Sequence, residues 1–225
     1  KNFKKLSFLV YGLGSTGQSV INFLRKNNIK NYKVWDDNNR DFYKKFRPKN
    51  LKKALSETNY IVLSPGVSLI KSKKKKLLNK HKKKIITDID LIFLLKKFFK
   101  SIVVTGTNGK STTCKILEHV LKKNKYKTLL GGNIGTPILS LNIKKNNFLI
   151  IEASSFQLAH SKFICPDYAI LLNISNDHID WHGNKKNYIS SKFKIFANQA
   201  SKQYSILNIN LKKYLNKKLI SKVII

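Results

Sequence analysis

The sequence predicts an α/β fold: a Rossmann-like parallel-sheet unit at the N-terminus, followed by a P-loop-type α/β unit that is incomplete at its C-terminus. Three observations predict it. Short apolar runs alternate with amphipathic stretches, the pattern of strand–helix units around a parallel sheet. A G-x-G-x-x-G loop, Gly12 to Gly17, follows the first apolar run. A second glycine loop, Gly106 to Ser111, follows a later one.

The elements follow in order. Leu6 to Tyr11 reads as a buried strand. Lys1, Lys4 and Lys5 before an apolar stretch imitate a signal peptide, but a glycine turn follows at once and no small-residue cleavage site is present. Ser15 to Lys26 carries Val20, Ile21 and Leu24 at helical spacing. Tyr32 to Trp35, Tyr60 to Leu63 (closed by Ser64-Pro65-Gly66) and Ile85 to Thr87 complete the first set of strands. A second set begins at Ser101 with a strand from Ile102 to Thr105. The helix after it places Ile116, Leu117, Val120 and Leu121 on one face, and further strands are expected at Phe148 to Ile151, Tyr168 to Asn173 and Tyr204 to Leu207. The fresh phosphate-loop unit sets the domain boundary near residues 97 to 101, giving domains 1–97 and 98–225, although no Pro/Gly linker marks it. The absence of methionine and the ending Val223-Ile224-Ile225, which reads like a strand cut short, lead us to expect a fragment.

Composition narrows the class. With 225 residues, 42% of them hydrophobic, the chain can build two modest cores. Its longest apolar run, Leu91 to Leu95, is far too short to cross a membrane. Cys114 and Cys165 have neither disulfide-framework nor zinc spacing, and read as buried thiols of a reducing compartment. A net charge of +34 raises the question of nucleic acid. Lys, Asn and Ile are enriched together, however, as AT-rich codon usage would produce, and the densest cluster, Lys71 to Lys84, carries no RNA-binding signature. The expectation is a cytoplasmic protein, bound neither to nucleic acid nor to membrane, whose surface draws anionic substrates.

Both glycine loops point to phosphate. Gly12 to Gly17 lies between a strand and a helix, where glycines allow a tight turn and close approach of an anion to the helix N-terminus. Asp36 ends the second strand, where an acidic residue commonly meets a ribose hydroxyl. Alone, this loop fits a nicotinamide-dependent oxidoreductase, another nucleotide site, or a turn that merely packs helix on sheet. In the second loop, Gly106-Thr107-Asn108-Gly109-Lys110-Ser111, backbone N–H groups would cradle phosphates, Lys110 neutralise them and Ser111 meet Mg²⁺. Val104 stands where the common phosphate-loop pattern has its first glycine.

Several blocks then fall into one order. Thr105 to Ser111 resembles the T-G-T-N-G-K-[ST] loop of Mur ligases and folylpolyglutamate synthases. The latter lack a leading G-x-G-x-x-G domain. Gly131-Gly132-Asn133-Ile134-Gly135, Glu152-Ala153-Ser154-Ser155-Phe156-Gln157-Leu158, the Asn173 to Asp180 segment around Asp177-His178, and Tyr188 to Phe196 with Lys192 resemble blocks of the Mur ligase family. The S-S-F-Q-L continuation is similar to its D-glutamate-adding branch.

The resemblance implies an ATP-dependent ligase of peptidoglycan precursor synthesis, acting on UDP-N-acetylmuramoyl-L-alanine and D-glutamate through an acyl phosphate, and a monomer is expected. It implies ATP contacts from Gly106, Thr107, Asn108, Gly109, Lys110, Ser111, Thr112 and Thr113. It implies two Mg²⁺ sites drawn from Ser111, Glu152, His178 and Lys192, the last converted to a carbamate, with Lys110, Glu152, His178 and Lys192 serving catalysis. Ser15, Thr16, Asp36, Gly66, Asn133, Ser154 and His178 would meet the UDP-sugar substrate, so that the first loop holds UDP and not NAD. Members of the family carry a third domain for the incoming amino acid. Nothing after Phe196 is long enough to be that domain, so residues 1–225 alone are expected to bind the UDP-sugar without turnover.

Overall fold

The computed structural model describes residues 3–39, 41, 43–94, 99–215 and 219–225. Two parallel sheets organise them. The first has the order β2-β1-β3-β4, built from β1 (Phe8–Tyr11), β2 (Tyr32–Trp35), β3 (Tyr60–Leu63) and β4 (Ile85–Ile86). Its helices are α1 (Ser15–Lys26), α2 (Leu51–Glu57), α3 (Lys75–Lys80) and α4 (Asp88–Leu94). β1 is buried at every residue, as expected of a central strand covered on both faces. Val20, Ile21 and Leu24 of α1 pack into the core as their spacing predicts.

The second sheet has the order β10-β9-β8-β5-β7-β6. Its strands are β5 (Lys100–Thr105), β6 (Thr128–Gly132), β7 (Phe148–Glu152), β8 (Tyr168–Leu171), β9 (Tyr204–Leu207) and β10 (Lys222–Ile224). The helices are α5 (Lys110–Lys123), α6 (Ser155–His160), α7 (Ile179–His182) and α8 (Lys185–Phe193). The first sheet closes at Ile86 and the second opens at Lys100; the expected junction at 97/98 lies outside the described residues.

Several sequence expectations need correction, each for a local reason. β1 begins at Phe8 because the Leu6 amide bonds Phe3 O in a tight turn. β4 stops at Ile86 because the Thr87 amide turns to the Asp90 carboxylate and opens α4. β8 stops at Leu171, and Asn173 reaches instead to the second glycine loop. On α5, Leu117 and Leu121 pack on the sheet beside Cys114, but Ile116 and Val120 are 58% and 49% exposed. At 100° per residue, residues 116 and 120 lie roughly 160° and 120° around the helix from Cys114, whereas 117 and 121 lie within about 60° of it, so the four apolar residues cannot share one face. Cys114 is fully buried, whereas Cys165 is half-buried. β6 is absent from the expected strands, because its Thr-Leu-Leu-Gly-Gly run lacks the continuous apolar signal of its neighbours.

The two sheets are joined by buried carboxylates. Asp90 of α4 is inaccessible to solvent. It accepts from Ser161 Oγ at 2.6 Å, Lys162 N at 3.0 Å and Phe163 N at 2.7 Å, all just beyond α6, as well as from Thr87 N at 3.0 Å. Asp88, two residues earlier, meets Gln157 within α6. One short helix of the first unit therefore grips α6 of the second near both ends. Removing the Asp90 carboxylate leaves buried donors without an acceptor. Asp90→Ala is expected to cost about 2–4 kcal/mol of unfolding free energy, read from the denaturant midpoint at unchanged slope. A loss below about 0.5 kcal/mol would mean that water replaces the contact.

Candidate functional site

The second glycine loop is closed by its surroundings before any ligand is considered. Gly109 has a φ of 80°, which opens the turn into α5. Asn173, leaving β8, accepts from Thr107 N at 3.1 Å and Asn108 N at 2.9 Å, and its Nδ2 donates to Asn108 O at 3.1 Å. Thr107 Oγ1 lies 2.8 Å from the Tyr188 hydroxyl and accepts from Ser175 N. Lys110 Nζ folds back to donate to Gly106 O at 3.0 Å and Thr107 O at 2.8 Å, placing its charge at the mouth of the loop. Ser111, Thr112 and Thr113 form the first turn of α5.

Glu152 is the hub. The carboxylate stands at the end of β7, 2% exposed, where β5 and β6 pair in register on either side of it. Ser111 Oγ donates to its Oε2 at 2.7 Å, and Asn133 Nδ2 donates to its Oε1 at 2.8 Å. Asn133 can approach because Gly132 has a φ of 113°, and a Cβ there would sit 2.4 Å from Glu152 O. Hard oxygens beside a phosphate loop make a donor set that suits Mg²⁺, which keeps several waters and needs few protein ligands. Among the described residues, no group of three or more His, Cys, Asp or Glu side chains could hold a metal. A Ser111–Glu152 pair is compatible with that count.

Lys192 and His178 flank the same loop from α8 and from the turn before α7. Lys192 is 2% exposed, and its Nζ donates to Gly106 O at 2.7 Å. Burial first, then the nearby Lys110 charge, lowers its pKa to about 7. His178 has a left-handed φ of 51° and lies 3.2 Å from Asp177 through Nδ1. Its ring packs 4.6 Å from Phe156 and 6.4 Å from Tyr188. Tyr188 also lies 4.8 Å from Lys192 Nζ and 5.3 Å from the His182 ring. That fully buried ring thus connects the loop, the lysine and the histidines. His182 bonds Ser155 Oγ at 3.0 Å, and burial, then the His178 and Lys192 charges, lower it to about 4.

The first glycine loop faces a cleft of about 470 Å³ shared by both units. Ser15, Thr16, Asp36 and Gly66 line it from one side, and Gly132, Asn133 and Gln157 from the other. Gly17 is required by packing, since a Cβ there would lie 2.0 Å from Gly12 O. Asp36 holds the turn after β2 in place. Its Oδ2 accepts from Leu13 N at 2.7 Å, and its Oδ1 from Asn38 N and Asn39 N. Burial opposes its charge, but those N–H groups and Arg47 outweigh it and hold the carboxyl below the usual range. Asp37 takes the Tyr11 hydroxyl and the Trp35 indole N–H. Ser154 caps α6: its Oγ accepts from Gln157 N, and Gln157 Oε1 accepts from Ser154 N, a reciprocal capping box.

Lys110, Ser111, Asn133, Glu152 and Lys192 therefore converge on the second loop, Ser15, Thr16, Asp36 and Gly66 on the cleft beside it, and His178 on the aromatic flank. Sequence reasoning misses Tyr188 as the connector and Asp88 behind Gln157, and it gives Asn173 only as the start of a block. An asparagine at the tip of the strand next to a phosphate-loop strand is a usable signal for the last.

The model of the Mur ligase middle domain matches residues 104–224, and that of the MurD-like N-terminal domain matches residues 6–87. A protein of Rickettsia prowazekii (strain Madrid E) named UDP-N-acetylmuramoylalanine--D-glutamate ligase is 38% identical over 215 residues, covering 92% of this chain and 47% of its own length. A protein of the same name from Wolbachia pipientis wMel is 40% identical over 203 residues, covering 86% of this chain and 39% of its own length. The chain thus spans about half the length of the curated relatives it matches, or less. Among solved structures, the Neisseria meningitides UDP-N-acetylmuramate:L-alanyl-gamma-D-glutamyl-meso-diaminopimelate ligase superposes with a TM-score of 0.56 at 14% identity, over 97% of this chain and 76% of that one, which bears on the fold alone.

Proposed function

The chain belongs to the Mur ligase family, and on that premise we propose that it serves an ATP-dependent ligase that joins D-glutamate to UDP-N-acetylmuramoyl-L-alanine in peptidoglycan precursor synthesis, working as a monomer in the cytoplasm. The observation that carries this reading is the hub at Glu152. One carboxylate is bonded both to Ser111 of the phosphate loop and to Asn133 on the wall of the substrate cleft. A nucleotide-sugar in that cleft would thereby be presented to ATP on the loop.

The chemistry asks for such an arrangement. A carboxylate is a poor electrophile, so one of its oxygens must become a leaving group. Attack on the γ-phosphorus of ATP gives an acyl phosphate and ADP, and the amine of D-glutamate then displaces phosphate. Charge builds on the γ-phosphoryl oxygens in the first step. Lys110, resting on the carbonyls of Gly106 and Thr107, is placed to meet that charge, as are the loop N–H groups. Ser111 and Glu152 would hold Mg²⁺, which neutralises phosphate charge when bound. The first loop, with Ser15, Thr16 and Gly66, would receive the UDP portion at the N-terminus of α1. Asp36, with both oxygens taken by backbone N–H groups, shapes that loop and would act on UDP through it. Family membership and the Glu152 hub favour this reading over a nicotinamide oxidoreductase or a basic nucleic-acid-binding protein. Among the described residues, no helix is long and apolar enough to cross a membrane.

Lys192 is proposed to carry a carbamate that, with His178, holds a second Mg²⁺. Carbamylation needs a neutral amine, which attacks carbon dioxide and loses a proton. A buried lysine lowered to about 7 supplies that amine near neutrality. The product would keep one N–H, and its new anionic end would supply an oxygen ligand.

Calorimetry with this chain is expected to detect UDP-N-acetylmuramoyl-L-alanine, and neither NAD nor single-stranded DNA. Lys110→Ala should leave that binding intact while abolishing acyl-phosphate formation in the complete enzyme. NAD binding without UDP-sugar binding, or full turnover by Lys110→Ala, would overturn the reading. Lys192→Ala is expected to be inactive and partly restored by a small carboxylic acid; a fully active variant removes the carbamate.

A further inference from the structure

Gln157 is 3% exposed and lines the cleft opposite the first glycine loop. Its amide is pinned from two sides. Oε1 accepts from Ser154 N and Ser154 Oγ, both at 3.1 Å. Nε2 donates towards both oxygens of Asp88, at 3.4 and 3.3 Å. A flipped amide would set its NH₂ against the Ser154 N–H and its oxygen against a carboxylate, so this pair of partners selects one orientation. Asp88 is 2% exposed and comes from the other structural unit, at the start of α4. An amide NH₂ has two hydrogens. One hydrogen shared between the two Asp88 oxygens would leave the other for an anion in the cleft that Gln157 lines.

We propose that Asp88 is a positioning residue for the cleft: acting through Gln157, it holds an amide N–H towards the diphosphate of the bound nucleotide-sugar. The proposal rests on the reading of the cleft given above. It assigns Asp88 work beyond joining the two units, which Asp90 already does through Ser161, Lys162 and Phe163.

The state of Asp88 supplies an independent readout. Burial, above all, raises it to about 6. Gln157 and the Ile89 N–H oppose the rise, and Asp90, on the same helix, adds to it. From α6, Gln157 faces it with a neutral amide. When Asp88 takes up a proton, one of its oxygens becomes a donor and half of the acceptor for Nε2 is lost. The ionised form is the one that orients Gln157, so affinity is held above about pH 6 and falls as the pH drops through that value. The diphosphate diester of such a ligand does not titrate there.

The test is the dissociation constant of this chain for UDP-N-acetylmuramoyl-L-alanine between about pH 5 and about pH 8, with melting temperatures recorded alongside. Wild type should bind more weakly below about pH 6. Asp88→Asn should bind about tenfold more weakly at the upper pH and lose most of the acid-side change. In a Gln157→Met background, Asp88→Asn should have no further effect, because the residue acts through that amide. Should Asp88→Asn fail to fold, the wild-type profile decides: weakening below about pH 6 supports the proposal, and a flat profile overturns it. Unchanged affinity in folded Asp88→Asn, or the same loss with and without the Gln157 amide, also overturns it while leaving the cleft assignment standing. Failure of wild type to bind at any pH removes the cleft assignment itself.

Discussion

The site depends on one register. β5, β6 and β7 run parallel and in step, so that Glu152 lies opposite Val104 on one side and Gly132 on the other. That pairing leaves a carboxylate buried at the edge where the phosphate loop departs and the Gly-Gly-Asn turn begins. A buried carboxylate needs partners, and the two it has, Ser111 and Asn133, belong to those two segments. A shift by one residue would turn the Glu152 side chain to the other face of the sheet and leave both segments without their common anchor. Gly132 follows from the same geometry, because any side chain there would collide with the backbone of Glu152.

A second constraint acts between the sheets. α4 presents two buried carboxylates to the region of α6, Asp88 to its interior and Asp90 to the turn just past its end. α6 begins directly after the Glu152-Ala153-Ser154 segment and is capped by Ser154 itself. The contact therefore fixes the first unit against the element that follows the hub, beside the cleft that the two units share. Lys192 and Tyr188 of α8 close the loop from the far side, at Gly106 O and Thr107 Oγ1.

Much of this is legible in the sequence, for physical reasons. Tyr32 to Trp35, Tyr60 to Leu63 and Tyr204 to Leu207 are short, mostly apolar runs with polar borders, and the strands match them. α1 spans Ser15 to Lys26 as its spacing indicates. Contacts made across long stretches of chain cannot be read locally. Nothing near Asp88 announces Gln157, and nothing near Thr107 announces Tyr188. The apolar residues of α5 mislead because they mix an exposed pair, Ile116 and Val120, with a partly buried one, Leu117 and Leu121. Asp36 has the position expected of a ribose ligand, yet its oxygens are already satisfied by the turn that follows.

On the proposed function, a nucleotide-sugar cleft and a phosphate loop would meet at the Glu152 carboxylate, and the reaction would be transfer of a phosphoryl group to the substrate's own carboxylate. The most direct measurement follows that oxygen. With UDP-N-acetylmuramoyl-L-alanine labelled with ¹⁸O in its carboxylate, the complete enzyme should release inorganic phosphate bearing one labelled oxygen for each amide formed. Amide formation accompanied by phosphate free of label would contradict the account.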